Sequence, residues 1–223
     1  MADELLEDLR QRWWKIADSM SDEARNNWWT IIQNKYTEDC RKYHNITHIH
    51  KMFQHFDSYQ QFISSPKAVA YAIFFHDLEY DPKAGDNEEK SAERFKQFSK
   101  EATISENSDL IAEVTELILL TKTHITEEHK SSDIFGKEDK HFFLDFDVSI
   151  LGSENKEYDI YAENIRQEYS FLPVTTYNSL RAKVLKSFLQ IPNIFSTQQF
   201  REMYEDQAKR NIQREIKLLE SRT

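Results

Sequence analysis

Apolar side chains recur along this chain at intervals of three and four, the spacing of helices with one buried face. Leu5, Leu6, Leu9, Trp13 and Ile16 make one stripe across residues 4–18. Ser21, followed by Asp22 and Glu23, has the chemistry of a capped helix start, and that helix would bury Trp28, Trp29, Ile31, Ile32 and Tyr36. Residues 37–43 read as a connection. Residues 44–62 read as a helix carrying His44 and His48, then Met52, Phe53 and Phe56. Pro66 follows Ser64 and Ser65 where a new helix can begin. The stretch 67–78 is nearly all apolar, the pattern of a central helix buried on most sides.

Residues 80–86, with Pro82 and Gly85, form the most loop-like stretch. Asn87 opens a helix with Phe95 and Phe98 inward. Ser105 is placed to cap the next, which carries Leu110, Ile111, Val114, Leu117, Ile118 and Thr121. Residues 125–137 are polar and read as a surface loop. A helix over 137–151 bears Phe142, Phe143, Leu144, Asp145, Asp147 and Ile150. Three more follow, marked by Tyr158, Tyr161, Ile165, Tyr169 and Leu172, by Tyr177, Leu180, Val184 and Phe188, and by Phe200, Met203, Tyr204, Ile212, Ile216 and Leu219. The pattern predicts a single-domain, all-α bundle of about ten helices.

Composition supports this. Three Gly and four Pro in 223 residues are too few for an architecture built on hairpins. The four Trp sit at helical spacing and are expected to pack helices together rather than to form a sugar or base platform. A formal net charge of -10 argues against a nucleic-acid polymer as partner, while leaving room for a small phosphorylated substrate. No apolar run approaches ~20 residues, so no membrane span is expected. One cysteine, Cys40, forms no intrachain disulfide, and the start of the chain is acidic rather than secretory. These features lead us to expect a cytoplasmic protein, with a homo-oligomer allowed. Cys40 is expected to be a partly buried small residue rather than a nucleophile.

Chemistry concentrates where polarity interrupts apolar runs. His76 and Asp77 directly follow the apolar run 70–75. Burying such groups is costly unless something pairs with them, and a divalent metal is an economical partner for imidazole and carboxylate. His48, His76, Asp77 and one of Asp145 and Asp147 are therefore candidate ligands of a shared metal. The His44/His48 spacing also occurs in zinc metalloproteases, but Asn45 stands where those enzymes need a glutamate base, so that reading fails.

The segment from Tyr43 to His48, the His76–Asp77 pair and Asp147-Val-Ser together resemble the H…HD…D signature of the HD superfamily of metal-dependent phosphohydrolases. The resemblance is closest to the small predicted-phosphohydrolase branch, and extends to segments 86–92, 144–152, 165–169 and 205–215. It implies an HD-type domain over 1–223, with its core at about 37–190 and terminal helices packing on it. It implies His48, His76, Asp77 and Asp147 as ligands of Mn, Fe, Co, Ni or Zn, His44 as general acid, and Asp77 as a group that also orients the attacking water. Asp145 and Glu88 would support them. Arg41, Lys90, Lys122 and Arg166 are candidate cations for the substrate phosphate, with Asn87 and His124 beside them. The expected reaction is hydrolysis of a phosphoester of a small metabolite or nucleotide. The alternatives are a di-iron oxygenase of the HD type, for which Asn87 stands where a histidine ligand is needed, and a non-catalytic ligand-binding module.

Overall fold

The computed structural model describes residues 2–102, 104 and 109–222, and throughout them the chain is all-α. Apart from an isolated parallel bridge between Gly136 and Thr197, the described residues form no strand. The chain packs as two compact units, Met1–Thr123 and His124–Thr223. Leu120, Thr121, Lys122, Thr123 and His124 run through the junction without Gly, Pro or Ser, so composition alone gives no boundary there.

The first unit holds α1 (Ala2–Ile16), α2 (Asp22–Tyr36), α3 (Ile46–Tyr59), α4 (Pro66–Phe75), α5 (Asn87–Glu101) and α6 (Asp109–Leu120). The Ser21 hydroxyl caps α2 by accepting the Ala24 amide at 3.3 Å. Every residue of α4 from Ala68 to Phe75 is buried. A helix with no polar face must be covered on all sides, which makes α4 the axis of this unit. Trp13 of α1 lies 5.5 Å from Phe74 and 5.2 Å from Phe98, and Trp28 of α2 lies 6.0 Å from Phe75 and 5.3 Å from Phe98, between ring centroids. Burying one such ring contributes about 1.5–3 kcal/mol, and favourable ring pairs add about 0.5–1.5 kcal/mol. The indole N–H groups are satisfied as well, Trp13 by the Arg25 carbonyl and Trp28 by Glu101. These tryptophans are core, as their spacing predicts. The cap expected at Ser105 lies outside the described residues. Cys40 is exposed rather than partly buried, because it sits in the irregular connection after α2.

The second unit holds α7 (Asp139–Val148), α8 (Asn155–Glu168), α9 (Val174–Gln190), α10 (Gln198–Phe200), a π-helical turn (Arg201–Glu205) and α11 (Asp206–Glu220). Two expectations need correction here. The stretch 125–137 is not simply a surface loop: His129 and Gly136 are buried. Arg201 draws that loop inward by donating to the carbonyls of Glu128, Ser131, Ser132 and Ile134. On α9, Leu180 and Val184 are exposed, and the buried residues are Tyr177, Asn178, Ala182 and Leu185. The Arg181 guanidinium turns this helix by donating to Glu215 at 2.9 Å, and Glu215 also accepts the Tyr158 hydroxyl at 2.6 Å.

Candidate metal centre

Helix α4 ends at Phe75, and His76 takes its C-cap with an amide bond to the Ala72 carbonyl. Nδ1 of His76 lies 3.0 Å from the Ile73 carbonyl oxygen. A carbonyl only accepts, so Nδ1 carries the hydrogen and Nε2 presents its lone pair. That Nε2 lies 3.3 Å from Nε2 of His48 on α3 and 3.1 Å from Oδ2 of Asp77. His48 Nε2 stands 3.9 Å from the same Asp77 oxygen. Both imidazoles are buried, at 4% and 1% exposure.

Two ring nitrogens this close need a proton or a cation between them, since two lone pairs repel. Bonds of about 2.0–2.2 Å to a shared ion place neighbouring ligand atoms roughly 3.0–3.5 Å apart. The two separations from His76 fall in that range. Nitrogen and oxygen donors together suit a borderline divalent transition metal, and the backbone bond that fixes the His76 tautomer is the usual support for a ligating imidazole. The donor set fits the expected group.

His44 is not helical, contrary to its predicted place one turn before His48. The Asn45 side chain caps α3 by accepting the Thr47 amide at 2.8 Å, and the helix starts at Ile46. Asparagine is a strong N-cap residue, so the signal for this break is present in the sequence. His44 nevertheless stays beside the cluster, its ring 6.2 Å from that of His48 and stacked at 4.4 Å on Tyr80. No spacing or motif in the sequence marks Tyr80 for this contact.

In the second unit the two aspartates of α7 separate. Asp145 is fully buried and accepts four hydrogen bonds, from the amides and hydroxyls of Ser196 and Thr197 at 2.6–3.0 Å. Burial pushes its carboxyl up to about 7, against the pull of those donors. Its work is to hold the 196–197 segment, not to support a ligand. Asp147 turns the other way along the helix and lies 2.7 Å from His124 Nε2. His124 adopts a φ of 53°, a left-handed conformation rare for a residue with a side chain.

The expected phosphate contacts are engaged locally. Arg41 is buried, and its guanidinium donates to the carbonyls of His44, Asp77 and Leu78, so it is not an open cation. Asn87 latches the 81–87 loop, exchanging two hydrogen bonds with the Asp81 backbone. Lys90 pairs with Asp86 at 2.7 Å, and Lys122 with Glu89. Arg166 donates to the carbonyls of Tyr169 and Leu172. Glu88 lies in the first turn of α5, where a carboxylate complements the helix dipole.

No protein-family model, curated protein or solved structure matches this chain. Among the described residues, no helix is long and apolar enough to cross a membrane.

Proposed function

We propose that this chain is a divalent-metal-dependent phosphohydrolase acting on a small phosphorylated metabolite or nucleotide, as its resemblance to the HD superfamily implies. The observation that carries the reading is the convergence of His48 Nε2, His76 Nε2 and Asp77 Oδ2 within 3.1–3.9 Å. Bound by these residues, Mn, Fe, Co, Ni or Zn would lower the pKa of water towards ~7 and offset charge developing at phosphorus.

The chain's own groups supply the rest. Asp77 keeps 19% of its side chain exposed and can accept a hydrogen bond from the attacking water. His44, half-buried and stacked on Tyr80, can donate a proton to the departing oxygen. Such acid catalysis contributes roughly 10²–10⁴-fold.

The test uses full-length protein stripped by a chelator and reloaded with each metal in turn. It is assayed against phosphomonoesters, nucleotides and cyclic nucleotides, with oxygen uptake followed in parallel. Hydrolysis that depends on metal and falls about 10²-fold or more in His44→Ala, with metal still bound, supports the reading. Oxygen uptake without phosphate release replaces it with the oxygenase, and metal binding without any turnover leaves a binding module.

A further inference from the structure

Every helix leaves its last carbonyls without helical partners, and those of α4 lie at the candidate site. The Tyr36 hydroxyl donates to the Phe74 carbonyl at 3.1 Å. Just past the helix end, Arg41 donates to Asp77 O at 2.6 Å through Nη1 and to Leu78 O at 2.9 Å through Nη2. The same Nη1 donates to His44 O at 3.2 Å, and Nε donates to the Glu38 carboxylate at 3.2 Å. One planar group therefore ties the turn bearing His76 and Asp77 to the segment bearing His44. Its side chain has no exposed surface.

Ring contacts extend this tie. The guanidinium lies 5.1 Å from the Tyr36 ring and 5.3 Å from the Tyr80 ring, and Tyr80 in turn stacks on His44. The segment before α3 has no regular structure. Within it the Asn45 amide donates to Tyr43 O and the Asn45 side chain to Lys42 O.

We propose that Arg41 is a positioning residue whose buried guanidinium sets His44 against the His48–His76–Asp77 cluster by gathering the carbonyls of His44, Asp77 and Leu78. This rests on the reading of His44 as the proton donor. Lysine keeps the charge, but its single nitrogen cannot reproduce a planar fork spanning three carbonyls. Arg41→Lys therefore displaces the acid without removing a ligand.

The experiment compares full-length wild type, Arg41→Lys, His44→Ala and the double variant, using phenyl phosphate, whose departing oxygen needs a proton, with Mn. Circular dichroism checks the fold, and Arg41→Gln replaces Arg41→Lys should the latter not fold. We expect kcat to fall about 10- to 100-fold in Arg41→Lys, the scale of a small misplacement of a reacting group. KM and calorimetric Mn affinity should stay within about threefold, and the double variant should be no slower than His44→Ala alone, since groups acting as a unit are not additive. Additive losses, or Mn affinity lost with kcat, would overturn the proposal. Should wild type bind Mn but hydrolyse nothing, the hydrolase reading fails and a second readout decides on Arg41. Carbethoxylation of His44 by diethyl pyrocarbonate, followed by mass spectrometry, should be faster in Arg41→Lys. An unchanged rate refutes the positioning role.

Discussion

Nδ1 of His76 lies 3.0 Å from the carbonyl oxygen of Ile73, within its own last helical turn. This backbone bond decides which face of the ring carries the lone pair, and that face looks towards His48 and Asp77. A polar cluster buried at the end of an apolar helix is thereby prepared for a cation. A metal at about 100 times its Kd adds ~2.7 kcal/mol of stability. Chelation should therefore lower the thermal midpoint by about 5–10 °C for a chain of this length. His76→Ala should abolish this difference, read by differential scanning calorimetry with and without chelator. A midpoint indifferent to chelator in wild type would count against a resident metal.

The two aspartates of α7 should respond differently to substitution. Asp145→Ala strands four buried donors on Ser196 and Thr197, and should cost about 3–5 kcal/mol in urea unfolding. Asp147→Asn, whose carboxylate meets only the half-buried His124 ring among the bonds described above, should change stability by less than about 1 kcal/mol. Equal destabilisation by both variants would remove the distinction.

Glycines provide a test of packing. An added Cβ at Gly152 would meet the Tyr204 backbone oxygen at 2.8 Å, and backbone yields little. Gly152→Ala should cost about 1–3 kcal/mol. Gly85 has nothing within 4 Å of the same position, so Gly85→Ala should be neutral or stabilising by up to about 1 kcal/mol. Denaturation midpoints of the two variants check both.

Acid should weaken the second unit through His129. Burial, aided by the positive charge of Arg201, pushes its imidazole down to about 4. The folded state then binds fewer protons than the unfolded chain, whose histidine titrates near ~6.5. Stability from this residue is complete above that pH and falls as pH drops, by about 3 kcal/mol at pH 4. His129→Gln, which keeps an acceptor for the Thr126 amide, should flatten the pH profile of urea unfolding between pH 6.5 and 4. An unaltered profile would assign the acid sensitivity to other groups.

Local chemistry explains which features were legible beforehand. The stripe through Trp13, the cap at Ser21 and the all-apolar run into Phe75 each act over one or two turns, so the sequence reveals them directly. His48, His76 and Asp77 stand out because burial makes an isolated polar group costly. The spacing of His44 to His48 predicts one helix through both, and the capping chemistry of Asn45 overrides it. The buried loop around His129, the commitment of Asp145 and the inward role of Arg41 depend on partners distant in sequence. Asp145 is paired with residues 51 and 52 positions away, and no window of periodicity contains them.

Arg201 carries such distance further, with consequences for how the chain is made. The carbonyls of Ile134 and Glu128 precede the guanidinium that collects them by 67 and 73 residues. At about 5–20 residues per second, a ribosome delivers that guanidinium roughly 3–15 s after the loop emerges. Until then the loop's carbonyls face water and His129 can be protonated like any other histidine. Nascent chains that stop short of Arg201 should therefore leave this stretch open to protease, and its closure should lag behind its emergence.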